Sequence, residues 1–108
     1  MKTIRHNKLV RDRIPEIIRS AGKEPITDLL SKEDLQDALD AKLGEEVKEY
    51  LESHAVEEIA DILEVLHGIA AHQGLDWQEI EAERIRKRES RGGFEKGIQL
   101  IEVREEEG

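Results

Sequence analysis

Between Leu43 and Leu66 this chain places carboxylates where a plain pair of packed helices would carry leucine. At about 100° per residue, Leu35, Leu39, Leu43 and Tyr50 fall on one stripe of a helix over residues 32–52, with Glu46 in the middle of it. Glu49 sits about 60° to one side. A second helix, over residues 55–73, has a wide apolar arc of Val56, Ile59, Ile62, Leu63, Val65, Leu66 and Ile69. Glu58 points within that arc, and Asp61 flanks it three residues on. Residues so spaced share a helix face, so each helix offers a carboxylate pair toward its partner. The link Glu52-Ser53-His54 is short, which favours antiparallel packing. Both pairs lie near that link, so the packing brings Glu46 and Glu49 near Glu58 and Asp61.

An ionised carboxylate on a core-facing stripe is costly unless it is paired or bound to a metal. Four together repel one another and raise their own proton affinity. The simplest remedy is a hard divalent cation, and oxygen-only donors suit Mg²⁺ or Mn²⁺ better than zinc. The competing reading is an acidic, solvated helix surface, since 40% of the chain is charged. Glu52, Glu57 and Glu64 read that way. Periodicity alone leaves the two readings level.

With 108 residues the chain is expected to form one domain, 1–108, with a modest core. Aromatic residues make up only 3%, so the interior should be aliphatic and helical. A net charge of −9 argues against nucleic-acid polymers and anionic membranes as partners. A small polyanion could still bind if a metal bridged it to the carboxylates. There is no cysteine, which excludes disulfides and thiolate metal sites. No stretch approaches the roughly 18 apolar residues of a membrane span. The basic N-terminus lacks the apolar region of a secretory signal, so a cytoplasmic location is expected.

The remaining segments carry local signals. Residues 1–10 are mixed and basic and should run extended into a short helix. Pro15 fits its first turn, Gly22 its end, and Ile14, Ile17 and Ile18 its buried side. Residues 24–30 read as a short edge strand. Ser31 is a good N-cap, with Glu33 and Asp34 following, and Ser53 is expected to cap the second long helix. His54, His67 and His72 have no useful spacing to the acids and read as surface or core histidines. Gly74 should end that helix, and Asp76 with Glu79 has capping-box spacing. A third helix then begins near Trp77, a packing anchor, and runs to Arg88 or Glu89. Ser90-Arg91-Gly92-Gly93-Phe94 is a breaker loop. Residues 97–104 read as a strand pairing with residues 26–29, and residues 105–108 as a frayed tail.

Glu45-Glu46-x-x-Glu49 followed by Glu58-x-x-Asp61 resembles the E-E-x-x-E…E-x-x-D motif of the MazG-like, all-α nucleoside triphosphate pyrophosphohydrolases. The opening run Asn7-Lys8-Leu9-Val10-Arg11-Asp12-Arg13-Ile14-Pro15 and the later Arg91-Gly92-Gly93-Phe94-Glu95-Lys96-Gly97 resemble a small phosphoribosyl-ATP pyrophosphohydrolase-like branch. The resemblance implies a mainly α fold: an antiparallel helical bundle with a short N-terminal helix and a small two-stranded β-ribbon, completed as a homodimer. It implies hydrolysis of a nucleoside triphosphate to monophosphate and pyrophosphate. Mg²⁺, or Mn²⁺, would be held by Glu46, Glu49, Glu58 and Asp61. Glu46, the most central, is the expected proton acceptor, while Glu45 turns away by about 100° into a supporting role. Lys8, Arg11, Arg91 and Lys96 are the expected phosphate contacts. The alternatives are phosphoribosyl-ATP as substrate, or a non-catalytic acidic module that acts through protein contacts.

Overall fold

The computed structural model describes residues 2–107, so the outer ends of the expected arm and tail, Met1 and Gly108, lie outside the described residues. The chain forms two compact units, one ending at Asp76 and one beginning at Trp77. In the first, an irregular basic arm leads into helix α1, Ile14–Ser20, with Pro15 in its first turn. The helix stops at Gly22, whose φ of 80° lets the Lys23 N–H turn back to the Ile18 carbonyl at 3.2 Å. Ile14 and Ile18 are half-buried but Ile17 is exposed, so the buried side is narrower than expected.

Helix α2 spans Lys32–Ser53 and helix α3 spans Val56–His72. Ser31 caps α2, its Oγ accepting the Asp34 N–H at 3.1 Å. Ser53 does not cap α3: it is the last residue of α2, and its Oγ accepts the Ala55 N–H in the connection. His54 closes α2 in the left-handed region, and its ring meets Tyr50 edge-on at 5.1 Å. Gly74, with φ 72°, ends α3 while the Leu75 N–H reaches the Ala70 carbonyl at 2.9 Å. The two helices pack against each other across so short a turn that they must run antiparallel.

Their seam follows the stripe. Leu39 is buried, and Leu35, Leu43 and Tyr50 are half-buried; from α3 come Val65, buried, with Ile62 and Ile69. Gly68 makes room for Leu39, since a Cβ there would stand 3.2 Å from the leucine Cδ2. Only half of the α3 arc is used: Val56, Ile59, Leu63 and Leu66 remain exposed.

In the second unit, helix α4 spans Trp77–Arg91, slightly longer than expected, with Trp77 half-buried at its start. Gly92 (φ 85°) ends it, and residues 94–97 form a tight turn in which the Gly97 N–H meets the Phe94 carbonyl at 3.1 Å. The expected β-ribbon is not formed, and the described residues contain no strand. Residues 24–30 and 97–104 are irregular, and Ile26, Leu29, Ile98, Leu100 and Ile101 are exposed. Alternating apolar residues give a segment strand propensity, but a two-stranded ribbon is marginal without a surface to pack on.

Candidate metal centre

Glu46 lies at 6% exposure, the one buried charged side chain among the described residues. Its place on the α2 stripe forces this, because the helix cannot bury Leu39 and Leu43 without burying the residue between Leu43 and Tyr50. Lys42, one turn earlier, approaches Glu46 Oε1 at 3.5 Å and Glu45 Oε2 at 3.6 Å. The other oxygen, Glu46 Oε2, is buried with no hydrogen-bond partner. From α3, Glu58 and Asp61 each bring a carboxylate oxygen, and with one from Glu46 these lie within 4.8 Å of one another.

Burial, then the adjacent Glu49 carboxyl, and last the Asp61 charge raise the affinity of Glu46 for a proton; Lys42 opposes them. The group is therefore short of positive charge, which a proton or a cation must supply. Magnesium holds oxygens at about 2.1 Å, so opposite ligands stand about 4.2 Å apart. Glu46, Glu58 and Asp61 each bring an oxygen within 4.8 Å of the others, near enough to close on one such ion, and Glu46 has an oxygen still without a partner. The donors fit a hard divalent cation. No histidine joins the group among the described residues.

The expected site residues divide into three sets. Glu46, Glu58 and Asp61 converge, and Glu49 stands against Glu46. The arm cations meet carboxylates: Lys8 Nζ lies 2.9 Å from Glu45 Oε1, and Arg11 Nη2 lies 2.7 Å from Asp61 Oδ1. The hydrogen bond between Lys8 and Glu45 raises the lysine pKa and lowers that of the carboxyl. Glu45, expected to turn away from the stripe, thus sits between Lys8 and Lys42. Arg91 and Lys96 belong to the second unit, at the end of α4 and in the turn after it. Lys42 is the residue that the sequence reasoning missed, although its i,i+3 and i,i+4 spacing to Glu45 and Glu46 was a usable signal.

Residues 10–88 match the family model described as phosphoribosyl-ATP pyrophosphohydrolase. That span contains the four acids, Arg11 and Lys42, and leaves Lys8, Arg91 and Lys96 outside it. A stretch of 42 residues is 57% identical to an uncharacterized protein of Mycolicibacterium smegmatis. It covers 39% of this chain and 43% of that relative, less than half of the relative's length. No solved structure matches the chain.

Proposed function

Since the chain belongs to the phosphoribosyl-ATP pyrophosphohydrolase family, within the MazG-like all-α superfamily, we propose that it hydrolyses nucleoside triphosphates to nucleoside monophosphate and pyrophosphate. The observation that carries this reading is the convergence of the buried Glu46 carboxylate, one of whose oxygens has no partner, with Glu58 and Asp61. In our proposal Glu46, Glu49, Glu58 and Asp61 hold Mg²⁺, with Mn²⁺ as a substitute. Such an ion neutralises charge developing on phosphate oxygens and makes a nearby water easier to deprotonate.

The chain's own residues do the rest. Water attacks the α-phosphorus, the bond from that phosphorus to the bridging oxygen breaks, and its electron pair leaves with pyrophosphate. Glu46 accepts the water's proton, as the most central of the four carboxylates. Lys42 holds the Glu46 carboxylate from one side and keeps its orientation. Of the cations in the first unit, Lys8 and Arg11 are assigned to the phosphate oxygens of the substrate.

A second reading takes phosphoribosyl-ATP as the substrate, since the description of the matching family names it. Pyrophosphate release from a panel of nucleoside triphosphates and phosphoribosyl-ATP, with and without Mg²⁺, separates the two. Turnover of phosphoribosyl-ATP alone would overturn the general reading. Full metal-dependent turnover by Glu46→Gln would overturn its role as proton acceptor. If Mg²⁺ neither supports turnover nor stabilises the protein, an interaction module without catalysis is the better account.

We also propose a homodimer through the exposed α3 stripe of Val56, Ile59, Leu63 and Leu66, which one helix pair leaves uncovered. Sedimentation of a Leu63→Glu variant as a monomer, beside a dimeric parent, is the expected result. Among the described residues no helix is long and apolar enough to cross a membrane, and a cytoplasmic site of action is part of the proposal.

A further inference from the structure

Arg11 and Asp61 are 50 positions apart in sequence, yet their side chains meet at 2.7 Å. The pair is open to solutes, with 58% of the arginine side chain and 39% of the aspartate side chain exposed. The arm carrying Arg11 has neither helix nor strand from residue 2 to residue 13. Among the described residues, the arm's other ion pair to the helices is that of Lys8 with Glu45. Leu9 of the arm is only half-buried, so a segment tied down mainly by two exposed ion pairs can shift without unpacking a core.

Asp61 is also one of the three carboxylates whose oxygens converge. Its charge is therefore wanted twice. A guanidinium and a divalent cation on the same carboxylate repel each other. A guanidinium released from Asp61 has a planar fork suited to phosphate oxygens. We propose that Arg11 is the resident counter-ion of Asp61: it occupies that carboxylate in the metal-free protein, yields it as the cation binds, and turns to the phosphates of the nucleotide. This rests on the pyrophosphohydrolase reading and adds a coupling to it. Arg11 weakens metal binding to the free protein and strengthens it once nucleotide is present, and by linkage the metal does the same for the nucleotide.

The test is Mn²⁺ binding to the full chain, followed by electron paramagnetic resonance at low salt, with and without a non-hydrolysable triphosphate analogue. The variants are Arg11→Gln, Arg11→Lys and Arg13→Gln. Arg13 lies on the same arm, is 80% exposed and pairs with Glu16 instead, so its loss makes the same charge change away from the acids. Without analogue, Arg11→Gln should bind Mn²⁺ about two- to fivefold more tightly than the parent, the range expected for a partly exposed ion pair. Arg11→Lys should stay near the parent, and Arg13→Gln should shift binding much less. The gain in Mn²⁺ affinity on adding the analogue should shrink in Arg11→Gln. Unchanged or weaker Mn²⁺ binding by Arg11→Gln, or an equal shift in Arg13→Gln, overturns the proposal and leaves the metal centre standing. No Mn²⁺ binding by the parent at millimolar concentration overturns both.

Discussion

Glutamates on α4 and glutamates on the α2–α3 seam reach opposite electrostatic ends. On α4, Glu81 pairs with Arg84 and Glu83 with Arg86, each with a cation three residues along the helix. Those hydrogen bonds hold both carboxyls below their ordinary range. On the seam, Glu46 is buried, meets Glu49 and Asp61, and is pushed the other way. The residue type is the same. The difference lies in register: α4 gives each of these acids its own cation one turn on, whereas the seam turns several acids toward one point beside a single helix cation, Lys42. Acidity alone says little about function, while acidity that the fold brings together and only partly neutralises calls for a further partner.

The comparison can be broken most directly by catalysis. Glu46→Gln should lower Mg²⁺-dependent pyrophosphate release by about 10²-fold or more, while Glu83→Gln should leave it within about twofold, the surface-substitution expectation. Next comes metal linkage. Mg²⁺ at about 100 times its Kd should stabilise the parent by about 2.7 kcal/mol, read as a rise in melting temperature. Glu58→Gln should abolish most of that rise, and Glu81→Gln should not change it.

A smaller effect concerns pH. Glu46 has a raised proton affinity, so its contribution to metal-free stability is complete below the ordinary value of 4.5 and is lost as pH rises through its higher folded value. Glu81 and Glu83 titrate below 4.5, so their contributions are present above it and fade as pH falls through the lowered values. Urea unfolding at several pH values should therefore show Glu46→Gln more stable than the parent near neutrality, by about 1 kcal/mol, with the gap closing in acid. Glu81→Gln should show the opposite trend. The smallest effect probes how closely the seam is filled. Gly44→Ala meets nothing within 4 Å and should stabilise α2 by about 0.5–1 kcal/mol. Gly68→Ala, with Leu39 at 3.2 Å, should gain less or lose stability in the same denaturant titration.

Much of the first unit was legible because helix signals are local. Periodicity gave residues 32–52 and 55–73, against observed helices Lys32–Ser53 and Val56–His72. The buried position of Glu46 followed from the same count. The ribbon was not legible, because Ile98 and Leu100 announce strand propensity whereas a strand also needs a neighbour. Ser53 was misassigned since a serine near a helix end can serve either side of a tight turn. The contacts of Lys8 and Arg11 were out of reach in another way. Partners 37 and 50 positions away obey no period, and the phosphate role of these two cations came from the resemblance alone.

Only His54 and Ala55 stand between the last residue of α2 and the first of α3, and His54 adopts a φ of 55°. Glu49 and Glu58 lie within a few positions of that bend on either side. Inserting one residue there would swing every later side chain of α3 by about 100° against α2, scattering the acids while leaving both helices intact. The residue count of this connection, as much as the identity of the acids on either side, is what keeps them in register.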